Sequence, residues 1–397
     1  MTVSITPEAL FAPHADDPLL HLPLAELVSQ TEELLFRHDL FRRAARSSLY
    51  RQSWRAAGIR PEQLQGRTAL RRLPFLDGAD LIAMAESRDS LRKALLTRPR
   101  IWVTSRGTTG PKKWLPLTLA DTAHCFARLR RVSEILSVEA DTAVPTLVLA
   151  INEPMPRVSN AVPYLWERAD YLTGGQRLEF IVAAMTMLPH NHWDRFVVQK
   201  QPQWLMASVD DARRLAQELG MTASPARILA SGAAEEAERI ESFPPSRSSA
   251  DYAKALSDLR RGIFWGQPLD GPAGARAELE STYGLAESFS LYLSAECREM
   301  YAECPAHAGL HLWMDGVIHE IIPDGEAPAG HKPTETLFVD QAPAGTEGEY
   351  VVTTFTEALP LIRYRTGDRI RVLDTAPCAC GITHPRVLFM GRMAASA

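Results

Sequence analysis

The feature that most limits how this chain can fold is a series of short, unbroken apolar runs alternating with amphipathic helical stretches. Thr146–Ile151 reads TLVLAI, Phe180–Met185 reads FIVAAM and Trp204–Ala207 reads WLMA. A strand with no polar face must be covered on both sides, as in a parallel sheet sandwiched by helices. Helical stretches stand where such a sheet needs them: DDARRLAQEL follows the third run, and ADTAHCFARLRRVSEIL follows Thr118, a residue suited to cap it. Ile228–Ala230 ends at Ser231-Gly232 before the helical AAEEAERI. Strands and helices alternating in this way predict an α/β fold with parallel or mixed sheets covered by helices.

From about Leu310 the pattern changes. HLWMDGVIHEII, ETLFVD, GEYVVTTF and RIRVL are β-rich segments with short turns, so a β-rich subdomain is expected to close the chain. The stretch from Leu24 to Arg72 has helical spacing. The expected division is a helical entry segment (1–100), an α/β core (101–300), a β-rich subdomain (301–392) and a tail (393–397). Its 397 residues exceed the roughly 250–300 at which one core stops growing, so subdomains are needed.

Net charge is −5 with no basic block, which argues against nucleic acid or an anionic membrane as partner. No apolar run is long enough to span a bilayer, and the acidic N-terminus lacks a secretory pattern. A cytoplasmic location is expected. Five cysteines in such a chain do not form a disulfide framework. Cys304-x6-His311 and Cys378-x-Cys380 can instead close a tetrahedral S₃N site, with Cys297 and His307 as spares. Four protein ligands make a structural zinc the expected occupant, buried thiols being the alternative. His190-Asn191-His192 lacks a carboxylate or cysteine partner and reads as a solvated loop.

Three further motifs suggest nucleotide chemistry. Thr104-Ser-Arg-Gly-Thr-Thr-Gly-Pro-Lys-Lys113 offers backbone N–H groups, hydroxyls and lysines to an anion, although an isolated Gly-Thr-Thr-Gly is equally a hairpin turn. In Ser281-Thr-Tyr-Gly-Leu-Ala-Glu287 an aromatic ring can meet a purine and a carboxylate can hold Mg²⁺. Leu361-Ile-Arg-Tyr-Arg-Thr-Gly-Asp368 reads as a tight turn followed by an acid suited to ribose hydroxyls. The three occur in this order, about 175 and 80 residues apart.

With these motifs the chain resembles the adenylate-forming superfamily of acyl-CoA synthetases, adenylation domains and luciferases, and within it the phenylacetate-CoA ligase family. YRQSWRAAGIRPEQL, RLPFLDGADL, LPLIRYRTGD and CACGITHPRVLFMGR extend the likeness from about Ser48 to Arg392. The resemblance implies that Ser105, Gly107, Thr108, Thr109, Gly110 and Lys113 hold the ATP phosphates, with Thr108 and Lys113 acting in catalysis. It implies Ser231, Gly232 and Ala233 beside the adenine, Tyr283 and Gly284 against its face, and Mg²⁺ on Glu287. Asp368 would bind the ribose, and Arg392 would act near the ribose or α-phosphate. Arg106 departs from the family's small residue, and Pro111-Lys112 makes Lys112 a competitor for the Lys113 role.

The implied activity is ATP-dependent conversion of a carboxylic acid to acyl-AMP, releasing pyrophosphate. CoA, a carrier protein or an amine would take the acyl group. Trp204, Met206, Phe264 and Trp265 suggest a flat-walled pocket for an aromatic or aryl-acetic acid. The family normally continues past Gly391-Arg392 into a lid with a catalytic lysine, whereas this sequence stops at Ala397. Either the sequence was cut there or the protein is an adenylating subunit without a lid, for which a separate lid or transferase partner is expected. The alternative to an enzyme is a catalytically weak subunit that binds nucleotide or acyl-AMP and scaffolds a partner.

Overall fold

The computed structural model describes residues 17–99, 101–105, 113–136, 146–152, 178–184, 201–219, 221, 254–271, 274–325 and 335–393. The chain enters through helices α1 (Leu24–Arg37), α2 (Leu40–Ala44), α3 (Ser48–Ala56), α4 (Gly78–Met84) and α5 (Arg88–Ala94). Local chemistry sets their starts. At α4, Asp77 and Asp80 each accept from the other's backbone N–H, a reciprocal capping box. A two-stranded hairpin follows, β1 (Ile101–Thr104) and β2 (Trp114–Leu117), and then α6 (Leu119–Leu136). Thr118 caps α6 as expected: its hydroxyl accepts from Asp121 N, and Asp121 Oδ2 accepts from Thr118 N.

The central sheet has the order β4-β3-β5-β6-β7-β8, built from β3 (Thr146–Asn152), β4 (Leu178–Ala184), β5 (Trp204–Ser208), β6 (Arg261–Trp265), β7 (Glu287–Ser294) and β8 (Glu299–Ala302). Its first five strands are parallel, and β8 folds back antiparallel on β7. Burial on both faces follows from strand alternation. Val148, Ala150, Trp204, Met206, Ile263 and Trp265 join one core. Leu149, Ile151, Leu205, Ala207 and Phe264 join the other, under α7 (Val209–Glu218) and α8 (Arg276–Tyr283).

The remaining strands are β9 (Leu310–His311), β10 (Val317–Pro323), β11 (Leu337–Phe338), β12 (Glu347–Thr354), β13 (Tyr364–Asp374) and β14 (Arg386–Arg392). They form an antiparallel sheet of order β11-β10-β12-β13-β14-β9. The α/β core and β-rich end match the sequence reading. Strands β6, β7 and β8 did not stand out in the sequence, because β7 (ESFSLYLS) mixes serines with apolar residues. The Tyr-Arg-Thr-Gly-Asp segment, expected to be a turn, lies within β13. Its irregularity comes from a register shift against β12 between Glu349 and Val351 and from Gly367 at φ +72°.

Arg363, immediately before β13, joins the entry segment to this sheet. It is fully buried at φ +51°. Its Nη1 donates to the carbonyls of Leu73 (2.9 Å) and Arg71 (3.3 Å), and Nη2 donates to the Thr336 hydroxyl (3.0 Å). Glu320 Oε1 is 3.2 Å away, with neither side chain exposed, and the guanidinium lies 4.1 Å from the Phe75 ring centroid. Removing one partner of such a pair strands the other charge, typically at a cost of about 3–5 kcal/mol. Glu320→Ala should therefore lower the unfolding free energy, read by urea denaturation, by about that amount. A loss below about 1 kcal/mol would mean that the carbonyls alone satisfy the guanidinium.

Candidate functional site

The glycine-rich segment connects β1 to β2, with Thr104 paired to Trp114. Ser105 N donates to the Lys113 carbonyl and Lys113 N to the Ser105 hydroxyl, both at 3.0 Å, which closes the loop at its base. Gly107, Thr108, Thr109 and Gly110 lie outside the described residues, as do Arg106, Lys112, Ser231, Gly232, Ala233, His190 and His192. The Lys113 side chain runs back over the start of α4. A Cβ on Gly78 would stand 2.8 Å from Lys113 Cε, so glycine leaves the room this path needs. Its Nζ donates to Glu296 Oε1 at 2.7 Å, with both side chains about 15% exposed (14% and 15%).

Asp368 and Arg392 stand opposite each other in the β13–β14 ladder, and Arg392 Nη1 donates to Asp368 Oδ1 at 2.7 Å. Arg392 also donates to the Thr366 carbonyl. The Tyr292 hydroxyl, from β7, donates to the other oxygen, Asp368 Oδ2, at 2.6 Å. Burial raises the Asp368 carboxyl pKa, against the pull of Arg392 and the Tyr292 bond. Burial works against the Arg392 cation, but Asp368, Tyr292 and Glu296 outweigh it and raise its pKa. Glu296 also acts electrostatically on Asp368 and Tyr364, which locates the Lys113–Glu296 and Asp368–Arg392 pairs in one neighbourhood. The β7–β8 hairpin supplies a partner to each pair. Neither Tyr292 nor Glu296 was singled out from the sequence; the only signal was a carboxylate and a tyrosine in the segment just after Tyr-Gly-x-x-Glu.

Glu287 is not brought to this place. It opens β7, five residues before Tyr292, so roughly 16 Å separates them along an extended strand. The parallel register sets Trp204, Arg261 and Glu287 side by side. Arg261 Nε donates to Glu287 Oε1 at 2.7 Å, its Nη1 donates to the Leu136 carbonyl, and its guanidinium lies 4.7 Å from the Trp204 ring centroid. The Glu287 carboxylate thus faces a guanidinium through Oε1 and has His307 Nε2 3.9 Å from Oε2. Tyr283 is 1% exposed, and its hydroxyl donates to the Ala212 carbonyl. Gly284 ends α8 at φ +69°, where a side chain would be strained. Trp204, Met206, Phe264 and Trp265 are all buried in the two cores, so they are packing residues and not walls of an open pocket. Each faces its side of the sheet by alternation.

The predicted metal ligands do meet. The ligand atoms of Cys304, His311, Cys378 and Cys380 all lie within 4.8 Å of one another. Cys304 Sγ is 3.8 Å from Cys378 Sγ, and Cys380 Sγ is 3.6 Å from His311 Nε2. A tetrahedral zinc with Zn–S about 2.3 Å and Zn–N about 2.05 Å has edges of about 3.8 and 3.6 Å, so the cluster fits. His311 Nδ1 points to the His384 carbonyl at 3.4 Å, leaving Nε2 turned inward. Cys297, one of the spares, is buried elsewhere with its N–H on the Ser294 hydroxyl, and His307 stacks on Phe289 at 4.9 Å. Among the described residues no helix is long and apolar enough to cross a membrane.

No protein-family profile matches the chain. It is 28% identical over 352 residues to a phenylacetate-coenzyme A ligase of Thermus thermophilus, covering 86% of this chain and 65% of the relative. A phenylacetate-coenzyme A ligase of Aromatoleum evansii is 26% identical over 344 residues, 82% of this chain and 62% of the relative. The chain thus spans a little under two-thirds of these curated relatives' length. A 2-hydroxyisobutyryl-CoA ligase in the postadenylation state with its acyl-AMP superposes with a TM-score of 0.66, at 18% identity over 96% of this chain and 72% of that one. The acyl acid amido synthetase AtGH3.15 with 2,4-DB gives 0.56, at 16% identity over 94% and 70%. The chain shares the fold of this ligase and this synthetase.

The Asp368 environment has a consequence for stability. A carboxyl whose folded pKa is raised binds its proton more readily in the native state than in the unfolded chain. Its ionised form therefore costs stability at neutral pH, and that cost is relieved as pH falls through the folded pKa. Asp368→Asn should melt at or above the temperature of the unaltered protein at pH 7.5, with the difference shrinking at acidic pH. A melting point several degrees lower at neutral pH would mean that the Arg392 pair outweighs burial.

Proposed function

From a chain with the adenylate-forming fold and a sequence similar to phenylacetate-coenzyme A ligases, we propose an enzyme that joins a carboxylic acid to ATP. A carboxylate oxygen attacks the α-phosphorus, the bond to the β-phosphate oxygen breaks, and acyl-AMP and pyrophosphate result. The observation that carries this reading is the meeting of Lys113 with the Asp368–Arg392 pair through the β7–β8 hairpin, from segments far apart in sequence. Lys113 would neutralise phosphate charge, and Asp368 would accept from the ribose hydroxyls while Arg392 holds it in place. Gly107, Thr108, Thr109 and Gly110 would cradle the phosphates, and Ser231, Gly232 and Ala233 would lie beside the adenine. Mg²⁺ would enter with ATP and be held by its phosphates, water and Glu287, whose carboxylate is paired with Arg261 in this structure. The names of the relatives favour an aryl-acetic acid and CoA as acceptor. A weakly active subunit that binds nucleotide or acyl-AMP is the second reading, favoured by the Arg261–Glu287 pair, which occupies the carboxylate expected to hold the metal.

ATP–pyrophosphate exchange across a panel of acids tests both readings. Exchange should depend on an aryl-acetic or related acid, and Asp368→Ala should raise the ATP requirement about tenfold or more through loss of its ribose contacts. ATP binding without acid-dependent exchange would favour the weakly active subunit. Exchange undiminished in Asp368→Ala would remove the assignment of this site.

We further propose that Cys304, His311, Cys378 and Cys380 hold one zinc ion, supported by their donor atoms lying within 4.8 Å of one another, with one S–S and one S–N distance at 3.8 and 3.6 Å. The ion would tie the segment before β9 to the segment before β14, and so brace the strand that ends in Arg392. Protein purified without a histidine tag should carry about one zinc per chain, and Cys380→Ser should lose it and melt lower. A zinc content near zero with an unchanged melting point would leave these residues as packing thiols and a buried histidine.

A further inference from the structure

The two cations described at the nucleotide site are both already paired: Lys113 with Glu296, and Arg392 with Asp368. The four charges sum to zero. A triphosphate would compete with Glu296 for Lys113, because the Nζ is held 2.7 Å from that carboxylate in a pair mostly withdrawn from water. The lysine stem passes close over Gly78, where a Cβ would stand 2.8 Å from Lys113 Cε. Resting on the nucleotide-binding role proposed above, we propose that Glu296 is a displaceable counter-ion that sets the affinity of this site for ATP and pyrophosphate.

The physical argument is competition. With the site empty, Glu296 keeps a poorly hydrated ammonium from standing unpaired. When phosphate arrives, Lys113 changes partner and the Glu296 carboxylate is left beside added negative charge. That step opposes binding and favours the departure of pyrophosphate, the anion left after adenylation. The hairpin tip is built to hold this position. Cys297 N donates to the Ser294 hydroxyl, Arg298 donates to the Pro116 carbonyl in β2, and Glu299 binds Arg128 and His124 on α6. Glu296 is therefore carried on a braced turn facing the strand that begins just after Lys113.

The sign of the effect separates this role from a structural one, because damage to the turn weakens binding and cannot strengthen it. In calorimetric titrations of the full chain with Mg-ATP and with pyrophosphate, Glu296→Gln and Glu296→Ala should each bind about three- to tenfold tighter than the unaltered protein. Lys113→Met should bind more weakly than the unaltered protein, since the cation that Glu296 and the phosphates compete for is gone. Equal or weaker binding by both Glu296 variants at an unchanged melting point would overturn the proposal. So would variants too unstable to titrate, which would make Glu296 a structural residue. Absence of ATP binding by the unaltered protein would overturn the proposed function as well, whereas normal binding with no gain at Glu296 overturns this inference alone.

Discussion

A buried guanidinium holds together the architecture around the proposed nucleotide site. Arg363 reaches carbonyls of the 71–73 segment, the Thr336 hydroxyl and the Glu320 carboxylate, with no exposure to solvent. The backbone beside it continues the connection: Leu76 N donates to the Arg363 carbonyl, and Arg365 N donates to the Leu76 carbonyl. The Tyr50 hydroxyl adds another link, accepting from Ile362 N and donating to the Pro360 carbonyl. The chain that emerges from these contacts is β13, which carries Asp368 five residues later. The ribose-binding role proposed for Asp368 needs a fixed carboxylate, and its strand is anchored at the end where it enters the sheet.

The second constraint is the β7–β8 hairpin, where the parallel sheet stops growing by crossover and turns back on itself. The strand that begins beside Arg261 ends between two sites of opposite character. Tyr292 faces the antiparallel sheet and orients Asp368, while Glu296 at the tip faces β2 and holds Lys113. A single hairpin thus relates Lys113 to Asp368, the residues proposed to meet phosphate and ribose.

Charge is concentrated here at a cost to the fold. The buried Asp368 carboxyl resists ionisation, and among the described residues Lys113 and Arg392 are each held by an acid. Such an arrangement gives up stability, a pattern common where function and packing compete. The Cys304–His311–Cys378–Cys380 cluster lies apart from this electrostatic centre but is linked to it mechanically, since His311 in β9 pairs with Arg386 at the start of β14. Arg392 ends the same strand.

The sequence by itself determined the two-sided parallel sheet, because TLVLAI and WLMA have no polar face to give to water. It determined the cap of α6 by Thr118, the β-rich end and the membership of the S₃N cluster, because local hydrogen bonding and ligand chemistry are carried by the residues themselves. It could not determine register. Only register sets Arg261 beside Glu287 and Asp368 opposite Arg392, drawing the first acid into an ion pair and giving the second its holder. The aromatics that suggested an open pocket became core for the same reason, since alternation along β5 and β6 assigns each to a buried face. Tyr292 and Glu296 could be recognised only in three dimensions, because their meaning lies in Asp368 and Lys113, 76 and 183 positions away. Contacts between such distant residues are decided by how sheets pair and pack, which no local pattern records.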